Sequence, residues 1–95
     1  MVDEKVRARV VFRGMVQGVG FRYTTRSIAS GYAVTGYVEN EPDGSVELVA
    51  EGRREEVEAF IEEVSRRMGR YIRDRQVERG PARGEFDDFS IRFGW

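Results

Sequence analysis

The chain has 95 residues, with 16 basic side chains against 17 acidic ones and neither histidine nor cysteine, the scale of one small domain spanning residues 1–95. Its 40% hydrophobic and 12% aromatic content supplies a core for a fold that buries roughly 60–70% of its unfolded surface, which excludes intrinsic disorder despite 35% charged residues. Without cysteine there is no disulfide framework, thiolate nucleophile or cysteine-type zinc site, and without histidine there is no imidazole acid, base or metal ligand.

The first segment alternates. Val6, Ala8, Val10 and Phe12 share one side, with Arg7, Arg9 and Arg13 on the other, the period of a half-buried strand. It enters the run Gly14-Met15-Val16-Gln17-Gly18-Val19-Gly20, after which Phe21, Ile28, Ala29 and Tyr32 recur at helical spacings. Val34, Gly36 and Val38 then share one parity, as do Val46, Leu48 and Ala50, and Pro42-Asp43-Gly44 lies between the two segments. Proline presets φ and glycine accepts a left-handed conformation, so this is a β-hairpin. From Arg54 to Met68 the apolar residues Val57, Phe60, Ile61, Val64 and Met68 fall on one helical face, and Gly69 is a fitting stop. Residues 71–79 show no clean period, though Tyr71, Ile72 and Val77 permit a strand, and Gly80 to Gly84 reads as a loop. Phe89, Ile91, Phe93 and Trp95 share one parity and form a closing strand.

The order is β-α-β-β-α-β with an additional strand allowed near residue 75. Two helices on opposite faces of so short a sheet would leave apolar surface half covered. The pattern therefore implies an α+β fold, the ferredoxin-like split β-α-β sandwich (βαββαβ), with both helices on one face of an antiparallel sheet. That architecture does not specify a function.

Charge is unevenly spread: residues 1–38 carry +4, residues 39–63 carry −8 and residues 64–95 carry +3. The acids Glu55, Glu56, Glu58, Glu62 and Glu63 read as the solvent face of the second helix. The arginines at 66, 67, 70, 73, 75, 79 and 83 are diluted by Asp74 and Glu78, and the strands lack the aromatic-rich basic motif of RNA readers, so no nucleic-acid partner is expected. No run approaches the ~20 apolar residues of a membrane span, and Met1 to Phe12 lacks a signal-peptide core. The expectation is a cytoplasmic monomer with no membrane partner.

Two places could carry chemistry. The first is the glycine loop feeding a helix at Phe21 and Arg22: unpaired amides at a helix start, with glycines permitting close approach, make an anion site. The run is neither a nucleotide P-loop nor a dinucleotide fingerprint, and its glycines could equally serve to turn the chain. Arg22 favours the anion reading, because a cation in the first helical turn opposes the macrodipole by about 0.3–1 kcal/mol. The second is Asn40, at the end of the second strand, whose amide can donate to one oxygen and accept from another; asparagine is also a common turn former there.

The run Gly14-Met15-Val16-Gln17-Gly18-Val19-Gly20-Phe21-Arg22, then Thr25 and Ala29, then Gly36-Tyr37-Val38-Glu39-Asn40 and Asp43-Gly44-Ser45-Val46-Glu47 closely resembles the acylphosphatase family over nearly the whole chain. The resemblance implies hydrolysis of an acyl phosphate to a carboxylate and inorganic phosphate, with no cofactor, metal or covalent intermediate. It assigns Val16, Gln17, Gly18, Val19, Gly20, Phe21 and Arg22 to the phosphate-binding loop, the Arg22 guanidinium to clamping phosphoryl oxygens and Asn40 to holding the attacking water. The family often has Trp where Tyr37 stands and Leu-Gly-Leu where Tyr32-Ala33-Val34 stands. Glu39 replaces a basic or neutral residue, and strand alternation points it away from the side of Asn40. The alternatives are a noncatalytic phospho-anion or small-ligand binding module, and a domain like the one that opens larger carbamoyl-transferring maturation proteins.

Overall fold

The computed structural model describes residues 4–93. Strand β1 (Lys5–Gly14) leads through the glycine loop into helix α1 (Phe21–Ala29), then into β2 (Val34–Asn40) and β3 (Val46–Arg53). Helix α2 (Arg54–Arg67) follows, then a short 3-10 turn at Gly69–Tyr71, β4 (Ile72–Pro81) and β5 (Phe89–Arg92). The sheet order is β4-β1-β3-β2-β5.

The first four strands pair antiparallel and with the two helices make up the ferredoxin-like βαββαβ unit. Its last strand is β4, where the sequence shows no period. The closing strand is a fifth one, β5, which lies parallel to β2 and makes the sheet mixed. It covers only the start of the tail; Trp95 lies outside the described residues. The missing period in β4 has a physical cause. Its helix-facing positions pair with Ala8, Val10 and Phe12 across the ladder and hold Arg79, Val77 and Arg75. Both arginines reach helix α2, Arg79 bonding Glu58 through two nitrogens at 2.7 Å and Arg75 bonding Glu62 at 3.0 Å and Ser65 at 2.8 Å. An edge strand held by ion pairs to a helix shows no apolar alternation.

The core lies between sheet and helices. Val6, Ala8, Val10 and Phe12 of β1, Val46, Leu48 and Ala50 of β3 and Val57, Phe60, Ile61 and Val64 of α2 are all buried, as their periods require. Four of the five acids of α2 have structural partners: besides Glu58 and Glu62, Glu63 bonds Arg67 and Tyr32, and Glu56 accepts from the Ala33 amide at 2.8 Å.

The opposite face of the sheet is not bare. Residues 82–88 link one edge strand to the other across it, and Glu51, only 4% exposed, holds them there. It accepts from the Arg83 and Gly84 amides at 3.0 Å and from Arg7 at 3.0 Å. Phe86 then packs edge-on against Tyr37, with Arg7 against its ring. This strap ends where the Gly36 amide donates to the Asp88 carbonyl, directly before β5.

Candidate functional site

The glycine loop leaves β1 at the core's edge, where the Met15 amide donates to the Tyr71 carbonyl at 2.9 Å. Gly18 and Gly20 both have left-handed φ, +78° and +77°, a conformation that costs other residues roughly 1–2 kcal/mol. A Cβ built on either would meet nothing within 4 Å, so they are needed for backbone shape, and the space beside them is open to a ligand. Gly20 is the N-cap of α1 and offers no side-chain cap, and the helix's first bond is from the Thr24 amide to the Gly20 carbonyl. No backbone amide from Val16 to Tyr23 donates to another described residue. Groups of this kind normally find partners. A consecutive run of them at the positive end of a helix is an arrangement with the chemistry to bind an anion.

Arg22 stands in this first turn, which holds no acidic residue. Helix α2 shows the usual arrangement, with Glu55 and Glu56 in its first turn and Arg66 and Arg67 in its last. Arg22 is half-buried and has no ion pair among the described residues. Its Cζ lies over the Phe93 ring, 4.9 Å from the centroid.

Asn40 comes from the end of β2, held by the hairpin tip. The Glu41 amide donates to the Ser45 carbonyl and the Gly44 amide to the Glu41 carbonyl. Asp43 accepts from the Ser45 amide at 2.9 Å and from its hydroxyl at 2.6 Å, and these bonds hold its carboxyl below the usual range. The Asn40 Oδ1 is buried and has no hydrogen-bond partner among the described residues. An unpaired buried carbonyl costs about 1–3 kcal/mol, which marks this oxygen, like the buried Thr25 Oγ1, as one with unused hydrogen-bonding capacity.

Val16, Gly18, Gly20, Phe21, Arg22, Tyr23 and Asn40 line one depression of about 100 Å³. The two sequence candidates thus meet in space. Two of the loop residues stand apart from it. Val19 packs against the core, and the Gln17 side chain braces the loop, donating from Nε2 to the Glu41 carbonyl at 2.8 Å and the Ser45 carbonyl at 2.9 Å. Tyr23, absent from the sequence reading, joins the lining; its position directly after Arg22 is the only signal it carries.

Glu39 points away from Asn40's side, as alternation requires. Its carboxylate lies with those of Glu41 and Glu47, all within 4.8 Å of one another. This is the group of acids among the described residues close enough to share a cation, but Glu47 is already engaged by Arg9 at 2.5 Å and by the Tyr37 hydroxyl at 2.8 Å. Burial and that bond push the Tyr37 hydroxyl up to about 12. Burial and the neighbouring Glu47 and Glu39 raise the Glu41 carboxyl. Among the described residues, no carboxylate lines the depression itself.

The acylphosphatase family profile matches residues 8–91. An acylphosphatase of Geotalea uraniireducens is 43% identical over 90 residues, which cover 94% of this chain and 99% of that protein. The crystal structure of acylphosphatase from Bacillus subtilis has the same fold, with a TM-score of 0.83 at 31% identity over 93% of this chain and 99% of that one. Full-length HypF, crystallised in a phosphate- and nucleotide-bound form, contains a similar region: 97% of this chain aligns with 12% of that one at a TM-score of 0.80 and 30% identity. Profile match, identity over nearly the whole chain and shared fold agree, and the chain belongs to the acylphosphatase family.

Proposed function

We propose that the protein hydrolyses acyl phosphates at the depression between the glycine loop and Asn40. The observation that carries this reading is the meeting, in one small hollow, of three groups of complementary chemistry that lack a hydrogen-bond or ion-pair partner among the described residues: the amides of the lining residues Val16, Gly18 and Gly20 to Tyr23, the Arg22 guanidinium and the buried Asn40 Oδ1. The amides and Arg22 bind the phosphoryl oxygens, Arg22 through a planar fork that can grip two at once. Asn40 Oδ1 accepts a hydrogen bond from the attacking water and so orients its lone pair toward phosphorus.

Water oxygen then bonds to phosphorus as the bond to the acyl oxygen breaks. The carboxylate leaves with the electron pair, and the water proton passes to a phosphate oxygen or to solvent. A carboxylate is a good leaving group and needs no general acid, so the work is positioning and charge stabilisation. This suits a chain without histidine or cysteine. The described lining residues include no carboxylate that could hold a metal, and the charge opposite the phosphoryl group comes from Arg22 and the helix start, which favours a metal-independent reaction.

A binding module would need the loop and Arg22 but not Asn40. Asn40→Ala separates the two readings: turnover of benzoyl phosphate is expected to fall at least about 100-fold while inorganic phosphate still binds. Unchanged turnover in this variant would remove Asn40 from the reaction.

A further inference from the structure

Beyond the phosphate-facing groups, one contact at the site is unexplained by packing. Phe93 is 66% exposed, one of three large apolar side chains left so open among the described residues, yet its ring lies under the Arg22 guanidinium at 4.9 Å. A phenylalanine so exposed adds little to the core. Its position is nevertheless well determined. Strand β5 is anchored on the helix side by Phe89, edge-on to Phe60 with centroids 5.3 Å apart, and on the other face by Arg92, whose Cζ sits 3.7 Å from the Tyr37 centroid. The parallel register ends with Glu39 opposite Arg92, and Phe93 directly follows this last pair, as Asn40 does on β2. The fifth strand, which the βαββαβ unit does not require, therefore leads directly to the aromatic ring that lies against Arg22.

We propose that Phe93 is a positioning residue for Arg22, its ring holding the guanidinium beside the amide cradle in readiness for a phosphoryl group. The proposal rests on the reading of Arg22 as the phosphate clamp. A free arginine must give up rotamer freedom when it grips an anion. A carboxylate partner would restrain it beforehand but would neutralise it and compete with the phosphate. An aromatic face restrains the cation through its quadrupole and leaves its charge and most of its N–H donors available. It also offsets part of the unfavourable helix dipole at Arg22 without placing an anion there.

The test compares Phe93→Leu, Phe93→Ala, Phe93→Tyr and Phe93→Trp with wild type and Arg22→Ala, measuring kcat and KM for benzoyl phosphate, the inhibition constant of inorganic phosphate and Tm. Leu and Ala are expected to raise KM and the phosphate inhibition constant about three- to fivefold, with kcat and Tm close to wild type. Tyr and Trp, which keep an aromatic face, should restore wild-type values. A Leu variant equal to wild type, or equal losses in all four, would overturn the positioning role. Arg22→Ala keeps the two readings apart: an active Arg22→Ala enzyme would remove the clamp itself, whereas an inactive one beside an unaffected Phe93→Leu would overturn only the part assigned to Phe93.

Discussion

Gln17 donates from its side-chain amide to the carbonyl of Glu41 at 2.8 Å, and a second bond from the same nitrogen reaches the Ser45 carbonyl. Residue 17 lies in the glycine loop and residue 41 directly follows Asn40, so this brace sets the distance between the two halves of the proposed site. The loop itself has no regular structure to fix it, and a misplacement of about 1 Å can cost a hundredfold in rate.

Gln17→Ala is therefore expected to slow turnover more than it destabilises the fold. Two hydrogen bonds to partly buried carbonyls are worth about 1–2 kcal/mol of stability, readable in a denaturant melt. The loss in kcat for benzoyl phosphate should exceed tenfold. A variant that loses stability but keeps kcat would show that the loop holds its shape without the brace.

Inorganic phosphate should stabilise the native state, because the amide cradle exists only when the chain is folded. At ten times its Kd the gain is about 1.4 kcal/mol, several degrees in Tm for a domain of this size. The shift should vanish in Arg22→Ala and persist in Asn40→Ala. Thermal melts across a phosphate series check both, and a wild-type Tm that does not move would count against a formed cradle.

The Glu51 latch gives the strap a dependence on pH. Burial alone would raise this carboxyl, but the Arg83 and Gly84 amides and the Arg7 guanidinium outweigh it and hold it below its ordinary value of 4.5. A carboxyl lowered in the folded state stabilises fully above its unfolded value, and that contribution disappears as pH falls through the folded one. Glu51→Gln should cost about 2 kcal/mol at pH 7, and the difference between the two proteins should shrink below pH 4.5. Chemical denaturation at pH 7 and pH 3 measures it; a constant difference would mean that Glu51 does not carry the titration.

Much of this organisation is legible in the sequence because it has a local cause. The hairpin shows itself in Pro42-Asp43-Gly44, helix α2 in the spacing from Val57 to Met68, and the site in an arginine placed against its helix dipole. The features that escape a sequence reading have distant partners. Strand β4 conceals its period because Arg75 and Arg79 occupy its inward positions and pair with Glu62 and Glu58 on α2. Glu51 looks like any polar residue of an alternating strand, although its three donors are 32, 33 and 44 residues away. Gln17 reads as part of the phosphate loop and Phe93 as one more apolar residue of the closing strand. What each does depends on a neighbour that only the fold supplies: the carbonyls beyond Asn40 for Gln17, and Arg22 for Phe93.

The central claim is that Arg22, the loop amides and Asn40 form one hydrolytic site. The direct test is benzoyl phosphate hydrolysis by purified protein in the presence of a metal chelator, with Arg22→Ala assayed in parallel and its Tm measured to confirm folding. The account predicts chelator-resistant turnover by the wild type and a loss of at least about 100-fold in the variant. Turnover that survives in Arg22→Ala, or that is absent from both proteins, would contradict it.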